Sequence, residues 1–260
     1  MIHPTAVIDP GAILGKEVEI GAYSIIGPRV EVGDGCRIGS HAVIESHVKL
    51  GGGSRVYAYA SIGAPPQDLK FRGEDTWVEI GEGCVIREYV TVNRGTAAGG
   101  GMTRVGNGVL LMAYCHVAHD CRVGDRVIMA NAATLAGHVE VGTGAIIGGL
   151  VGVHQFVRIG EYSIIGALSG LSLDVPPYVT AVVGRGQKGS ALYGLNLTGL
   201  KRNRFTPETI AELKKAYRIL FRSGLPLREA IAKAEADTAP LPEVRNLLDF
   251  VRSSRRGVQR

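Results

Sequence analysis

Four of the seven histidines lie within 39 consecutive residues, at His116, His119, His138 and His154. Imidazole exchanges a proton near neutral pH, and in its neutral form it is also a common ligand of metal ions. Asp120 directly follows His119, and a carboxylate beside an imidazole fixes its tautomer and raises its basicity. The cluster therefore predicts either a metal-free site with a histidine general base or a zinc site.

A repeat of six residues runs through the part of the chain that holds these histidines. Every sixth residue from Ile2 to Ile62 is aliphatic; the phase resumes over 80–92 and, shifted by one, runs from Val105 to Leu171, which gives 26 positions. This period fits neither a helix nor an ordinary strand. It fits a short strand and a corner, often made by one of the 37 glycines, and three such units close an 18-residue coil. We therefore predict a mainly β protein, a parallel β-helix whose stacked coils bury the aliphatic residues.

The coil length places the four histidines relative to one another. Their separations of 19, 35 and 38 residues differ from one or two coils by only one or two residues. None of the four occupies an inward-facing aliphatic position. All four are therefore expected on one strip near one edge of the prism, within about 5–10 Å of each other.

Two interruptions and a change of pattern define the domain organisation. Residues 64–77 and 94–104 break the repeat and are predicted as loops, which in a regular solenoid often carry function. The repeat fades after Leu171, and helices are predicted over 206–223, with Thr206 as N-cap, over 227–236, and from Pro242. The chain divides into a β-helix domain, 1–190, and a C-terminal α-helical domain, 191–260.

Charge and composition restrict the cellular setting. Residues 201–260 hold 14 Lys and Arg against 7 Asp and Glu, a net charge of +7, whereas residues 1–200, with 15 and 17, carry −2. The basic end predicts either a solvated helical face or a surface for an anionic partner.

No apolar run approaches the ~18 residues of a transmembrane helix, and the N-terminus lacks the features of a signal peptide. With four cysteines in no metal-binding or disulfide pattern, a cytoplasmic protein is expected.

Three classes of function remain open at this point. Three histidines on a trimeric β-helix could bind zinc, as in a gamma-class carbonic anhydrase-like lyase. The polar segments around the histidines, CHVAHDC, LAGHVEV and VHQF, instead favour a metal-free site that recognises sugar and phosphate. A β-helix scaffold without catalytic activity is the third possibility.

Short segments embedded in the repeat are more specific than the repeat itself. They are QDLK at 67–70, HVAHDC at 116–121, LAGH at 135–138, HQF at 154–156, DVPPY at 174–178 and GLKR at 199–202. Over nearly the whole chain these segments resemble the UDP-N-acetylglucosamine acyltransferase family. The resemblance implies a left-handed β-helix with C-terminal helices, assembled as a homotrimer without cofactor, metal or nucleic acid.

The resemblance also implies a reaction and its residues. The family transfers an (R)-3-hydroxyacyl chain from acyl carrier protein to the 3-hydroxyl of UDP-N-acetylglucosamine, the first step of lipid A biosynthesis. His119 would be the general base, Asp120 would orient it, and the backbone N–H of Gly137 would stabilise the oxyanion. The substrate-binding residues implied are Gln67, Asp68, Lys70, His116, His138, His154, Gln155, Asn196 and Arg202.

Some positions leave alternatives open. Asp68 and Lys70 could form a surface ion pair, and Gly137 could be only a corner glycine. Ala167 aligns with the position that closes the acyl groove in the family, and its small side chain predicts a medium to long chain. The segment 182–193 is longer than the family pattern by about four residues, and Thr198 stands where many members have glutamate. These motifs do not decide between UDP-N-acetylglucosamine and its 3-amino analogue.

Overall fold

Short parallel strands form the three faces of a triangular prism. The computed structural model describes residues 1–183 and 190–259, and in them the strands form sheets of nine, eight and ten strands. Where no loop intervenes, the partners within the β-helix are in general one 18-residue coil apart, as in the pairing of His116 with Thr134 and of Thr134 with Gly152. The predicted parallel β-helix with C-terminal helices is confirmed.

From the first strand to Gly170–Leu171, each sheet takes every third strand of the chain. Sheet 1 contains Val7–Ile8, Ile25–Ile26, Val43–Ile44, Ser61–Ala64, Thr91–Asn93, His116–Val117, Thr134–Leu135, Gly152–Val153 and Gly170–Leu171. Sheet 2 contains Ile13–Leu14, Val30–Val32, Val48–Leu50, Trp77–Ile80, Met102–Val105, Arg122–Val123, Glu140–Val141 and Arg158–Ile159. Sheet 3 contains Glu19–Ile20, Arg37–Ile38, Arg55–Val56, Val85–Ile86, Leu110–Leu111, Ile128–Met129, Ile146–Ile147, Ile164–Ile165, Val179–Val183 and the antiparallel Ser190–Leu195.

The core of the prism consists of the aliphatic residues that the repeat predicted. From Ile20 to Leu171 every predicted inward position is buried. Ile2 is 47% exposed, because it lies at the end of the prism where no further coil covers it. Full burial of one such side chain contributes about 1.5–3 kcal/mol, so the stacking of coils provides the stability that one coil lacks.

One corner of the prism repeats a left-handed backbone conformation once per coil. Asp120, His138 and Phe156 are each 18 residues apart and have φ of 61°, 62° and 64°. Residues at equivalent corners therefore stack above one another. This corner carries part of the histidine cluster.

Both interruptions are loops, and the second is shorter than predicted. Residues 65–76 and 94–101 connect strands, with a 3₁₀ turn at Ala97–Gly99. Met102–Val105 was expected to lie partly within the loop 94–104, but it pairs as a strand with Trp77–Ile80. The repeat resumes at Met102 because this strand continues sheet 2.

Four helices follow the β-helix. They are α1 (Leu197–Arg202), α2 (Pro207–Arg222), α3 (Leu227–Asp237) and α4 (Pro242–Ser253). Thr206 caps α2 as predicted, accepting a hydrogen bond from Thr209 N, whereas the six-residue α1 was not predicted. None of the described helices combines the length and apolar character needed to cross a bilayer.

The chain after α4 returns to the prism. Asp174 N donates to Gly257 O at 3.0 Å, and Gln259 N donates to Asp174 O at 2.8 Å. The buried Asp174 carboxylate accepts from Arg158 N and from Ser254 Oγ, at 2.9 and 2.7 Å. This tail, residues 254–259, is therefore fixed against the last coils.

Candidate active site

The coil geometry brings His119, Asp120 and His138 together at one edge of the prism. His138 N donates to His119 O across neighbouring coils at 3.0 Å. The two imidazole rings meet edge to face, with centroids 5.2 Å apart. The proximity predicted from the repeat is thus confirmed for this pair.

His119 and Asp120 form a hydrogen-bonded pair. Nδ1 of His119 lies 2.8 Å from Oδ2 of Asp120, and the two side chains are 16% and 1% exposed. A carboxylate can only accept, so Nδ1 of the neutral ring carries the proton and Nε2 carries a lone pair. Nε2 can therefore accept a proton from a substrate hydroxyl, as a general base must.

The loop 94–101 holds the carboxylate of Asp120 in place. Oδ1 accepts from Thr96 N at 2.9 Å, and Oδ2 accepts from Thr96 Oγ1 at 2.7 Å. Asp120 N donates to Thr103 Oγ1 at 2.8 Å. A Cβ on Gly99 would collide with the carboxylate. The sequence marked this segment only as a break in the repeat and gave no signal for Thr96.

His138 and His116 are neutral neighbours of this pair. Burial is the main cause that lowers the pKa of His138, the charges of Asp120 and Asp68 oppose it, and His119 adds to it. Burial, then the charge of His119, lowers the pKa of His116, whose Nδ1 lies 2.7 Å from Thr91 Oγ1. Both rings are suited to hydrogen bonding rather than to carrying positive charge at pH 7.

Gly137 stacks directly on His119, one coil above it. A Cβ at this position would lie 2.5 Å from Cε1 and 2.7 Å from Nε2 of His119. Only glycine therefore lets the imidazole lie against this backbone. Among the described residues nothing accepts a hydrogen bond from Gly137 N, although the residue is buried. A buried N–H without a partner beside a base is suited to binding an oxyanion.

Within the described part of the chain, the side chains of His119, Asp120 and His138 form the only group that could hold a metal ion. One ligand atom from each of His119, Asp120 and His138 can be chosen so that all lie within 4.8 Å of one another. However, both oxygens of Asp120 already accept hydrogen bonds, from Thr96 and His119. A cation bound to this carboxylate would compete with these hydrogen bonds. The donor set therefore fits a hydrogen-bonded relay better than a zinc centre.

The loop 65–76 carries the predicted sugar ligands. Asp68 is half-buried, and its charge acts on His138, which places it beside the cluster. Gln67 and Lys70 are exposed. Lys70 N donates to Asp68 Oδ1 at 2.9 Å, but the ammonium forms no ion pair with Asp68 in the described structure. The alternative of a surface ion pair is therefore not supported.

Among the described residues, the other predicted site residues make no recorded contact with the side chains of the His119 pair. His154 and Gln155 are exposed, and His154 Nδ1 contacts Arg256 instead of another histidine. Asn196 is 9% exposed and caps α1, with its side chain bonded to Gly199 N and Tyr162 O. Two further predicted residues, Ala167 and Arg202, are exposed.

Comparison with known proteins agrees with the fold. Residues 174–259 match the model for domain 2 of UDP-N-acetylglucosamine O-acyltransferase, and residues 11–46 and 102–137 match the bacterial transferase hexapeptide model. The chain is 62% identical to an acyl-[acyl-carrier-protein]–UDP-N-acetylglucosamine O-acyltransferase of Aquifex aeolicus, covering 100% of the chain and 98% of the relative. The corresponding enzyme of Trichlorobacter lovleyi is 57% identical over 100% of the chain and 99% of the relative.

Solved structures give the same result. The UDP-N-acetylglucosamine acyltransferase from Bacteroides fragilis superposes with a TM-score of 0.96 at 43% identity, covering 100% of both chains. That of Campylobacter jejuni superposes with a TM-score of 0.93 at 40% identity, covering 100% of this chain and 99% of the other. The chain therefore belongs to the UDP-N-acetylglucosamine O-acyltransferase family of hexapeptide-repeat enzymes.

Proposed function

We propose that this chain transfers an (R)-3-hydroxyacyl group from acyl carrier protein to the 3-hydroxyl of UDP-N-acetylglucosamine, the first step of lipid A biosynthesis. The names of the relatives supply the two substrates. The observation that carries the proposal is the pair of His119 and Asp120, 2.8 Å apart, with Gly137 against the imidazole.

The chemistry follows from the geometry of the pair. Nε2 of His119 takes the proton of the sugar hydroxyl as its oxygen attacks the thioester carbonyl. A C–O bond forms, and the Gly137 N–H donates to the oxyanion that develops. The C–S bond then breaks, and the imidazolium returns its proton to the leaving thiolate. Asp120 stabilises the transient positive charge and keeps the ring in the correct tautomer.

Other residues would bind the substrates. Asp68 would accept hydrogen bonds from the sugar, with Gln67 and Lys70 beside it on the same loop. His116 and His138, with lowered pKa values, would donate or accept as neutral rings. The remaining proposed contacts, with the roles given by the family pattern, are His154, Gln155, Asn196 and Arg202.

A homotrimer is part of the proposal. Sheet 3 presents the outward-facing, half-buried side chains of Leu110, Ile128, Ile146 and Ile164 in one row. A continuous apolar face of this kind favours subunit packing. Sedimentation equilibrium is expected to give three times the 27.5 kDa chain mass. A monomer at micromolar concentration would contradict this part.

The basic C-terminal helices would dock acyl carrier protein, which is acidic. Arg202, Arg204, Lys214 and Arg218 are exposed, whereas Lys215 already donates to Asp237 O. Docking by charge is screened by salt, so the KM for the acyl donor is expected to rise with ionic strength.

The four cysteines are free and buried, which supports a location in the reducing cytoplasm.

The test is turnover by purified protein with UDP-N-acetylglucosamine and hydroxyacyl carrier proteins of graded length. His119→Ala is expected to lower kcat by about 10²–10⁴-fold, the usual contribution of a general base. His116→Ala, His138→Ala and His154→Ala serve as matched variants and should lower kcat less or act on KM. Near-normal kcat in His119→Ala would overturn the general-base assignment.

Two other functions can be tested with the same purified protein. The cluster of His119, Asp120 and His138 favours a zinc-dependent lyase as a second candidate. Absence of acyl transfer, together with hydration of carbon dioxide by the zinc-loaded protein that is lost with excess chelator, would establish it in place of the first. Acylation of the 3-amino analogue of UDP-N-acetylglucosamine at a higher kcat/KM would correct the acceptor.

A further inference from the structure

The C-terminal tail places a guanidinium group against a histidine of the candidate substrate site. Arg256 Nη2 lies 3.3 Å from Nδ1 of His154, and these residues are 102 positions apart in the chain. Arg256 Nε donates to Ser172 O at 3.0 Å. Two separate contacts therefore fix the guanidinium beside the imidazole.

The tail itself is held firmly enough to position this group. Val258 forms a parallel bridge with Asp174, and Val258 and Gln259 are buried. The Asp174 carboxylate accepts hydrogen bonds both from Ser254 of the tail and from Arg158 N of the β-helix. Arg256 lies between these attachments, so its backbone has little freedom to move away from His154.

The contact with Arg256 requires one particular tautomer of His154. A guanidinium group has only donors, so Nδ1 must accept and the proton of the neutral ring must be on Nε2. Nδ1 also lies 3.2 Å from Gln155 O, but that bond requires a proton on Nδ1. The two bonds exclude each other, so the contact that forms decides the tautomer, and the bond to Arg256 requires the one that the local bond to Gln155 would not give.

His154 borders a cavity in which an Nε2–H donor is useful. The cavity has a volume of about 380 Å³, and Ala136, Gly152, Gly170 and Leu171 are among the residues that line it with His154. Besides His154, the lining residues whose side chains can donate a hydrogen bond are the hydroxyl residues Thr134 and Ser172. Within the described part of the chain nothing hydrogen bonds with Nε2 of His154.

We propose that Arg256 is a positioning residue that holds His154 in the Nε2–H tautomer, so that the ring donates a hydrogen bond to an acceptor oxygen of a bound substrate. This inference rests on the proposed acyl transfer for the nature of the substrates. The oxygen could belong to the diphosphate of the sugar nucleotide or to a carbonyl of the acyl donor's arm. The shared chemistry is a neutral N–H donor facing an oxygen acceptor.

The first experiment reads the tautomer without reference to activity. Nitrogen-15 spectra of the histidine-labelled protein, with His154→Gln to assign the signal, are expected to show Nδ1 unprotonated and Nε2 protonated. In Arg256→Met the proton should move partly to Nδ1, because the bond to Gln155 O becomes available. Arg256→Lys should keep the original pattern, and Arg255→Met, an exposed neighbour on the same tail, is the matched control.

The second experiment tests whether Arg256 acts through His154. Arg256→Met is expected to raise one KM by about three- to tenfold, as for loss of one hydrogen bond, with kcat nearly unchanged. A rise in the KM of UDP-N-acetylglucosamine identifies the diphosphate, and a rise in the KM of the acyl donor identifies its arm. The double variant with His154→Gln should be no worse than His154→Gln alone.

Two outcomes would overturn the proposal. One is an Arg256→Met spectrum in which the proton of His154 stays on Nε2. The other is an additive double variant, which would show that Arg256 acts independently of His154. Absence of acyl transfer in the wild-type protein would refute the proposed function alone, since the tautomer experiment does not depend on turnover.

Discussion

Nδ1 of His119 and Oδ2 of Asp120 lie 2.8 Å apart although the two residues are adjacent in sequence. Neighbouring side chains in a strand point to opposite faces, so adjacency alone would separate them. Here Asp120 occupies a corner with φ of 61°, and the change in backbone direction turns its side chain towards His119. The corner of the coil is therefore what brings two adjacent residues into a hydrogen-bonded pair.

The contact between Gly137 and His119 predicts a severe effect of one added methyl group. Gly137→Ala would place a carbon 2.5 Å from the imidazole and force the ring to move. A displacement of about 1 Å in a catalytic group can cost 10²-fold, so kcat should fall by about that factor. Steady-state kinetics with both substrates measures this.

A second glycine provides the matched control for Gly137→Ala. At Gly11 an added Cβ meets only the carboxylate of the half-buried Asp9, at 3.2 Å. Gly11→Ala should leave kcat unchanged. Equal loss of activity in both variants would show that the effect is general to the coil and not specific to His119.

Thr96 is expected to matter for catalysis without touching a substrate. Thr96→Val removes the hydroxyl that donates to Asp120 Oδ2 at 2.7 Å and keeps the side-chain volume. We expect kcat to fall about tenfold and the free energy of unfolding to fall by about 1–3 kcal/mol, as for a buried bond to a charged group. Thr76→Val is the control, since that buried hydroxyl has no partner in the described structure. Similar kcat values for the two variants would argue against this role.

The sequence was sufficient to predict the fold, because the same physical constraint applies to every coil. Each coil must bury its aliphatic residues against its neighbours, so the period of six reports the inward positions directly, from Ile20 to Leu171. Helix α2 was also predictable, from its apolar stripe and its cap at Thr206. Helix α1, Leu197–Arg202, is too short to show a helical period and was missed.

The candidate site was only partly predictable for a different reason. The coils stack with a constant length of 18 residues, so the proximity of His119 and His138 follows from their separation of 19 residues in the sequence. The contacts of Thr96 with Asp120 and of Arg256 with His154 come from irregular segments, whose path the repeat does not determine. Of the segment 182–193, which the sequence marked as longer than the family pattern, residues 184–189 lie outside the described structure.

The length of the acyl chain can be tested at Ala167, which is exposed and carries a small side chain. Ala167→Met should block the far end of a groove and shift the preferred chain to one several carbons shorter. Each CH₂ that loses its burial costs about 0.8 kcal/mol, so the change should appear as a graded loss for long chains. Leu168→Met, at the next exposed position, is the control. An unchanged profile of kcat/KM against chain length would place the end of the groove elsewhere.

Stability should decrease as the pH falls below the usual histidine pKa of 6.5. Burial, the main cause, and the cations Arg94 and Arg29 lower the pKa of His47 in the folded chain, against the opposing charge of Asp75. Below pH 6.5 the unfolded chain therefore binds a proton that the folded chain does not, and the free energy of unfolding falls with pH. Urea denaturation at pH 7.5 and 5.5 measures this decrease in the free energy of unfolding. The decrease should be smaller in His47→Gln, because the variant lacks the imidazole whose protonation favours the unfolded chain. An identical fall in the variant and the wild-type protein would show that His47 does not contribute.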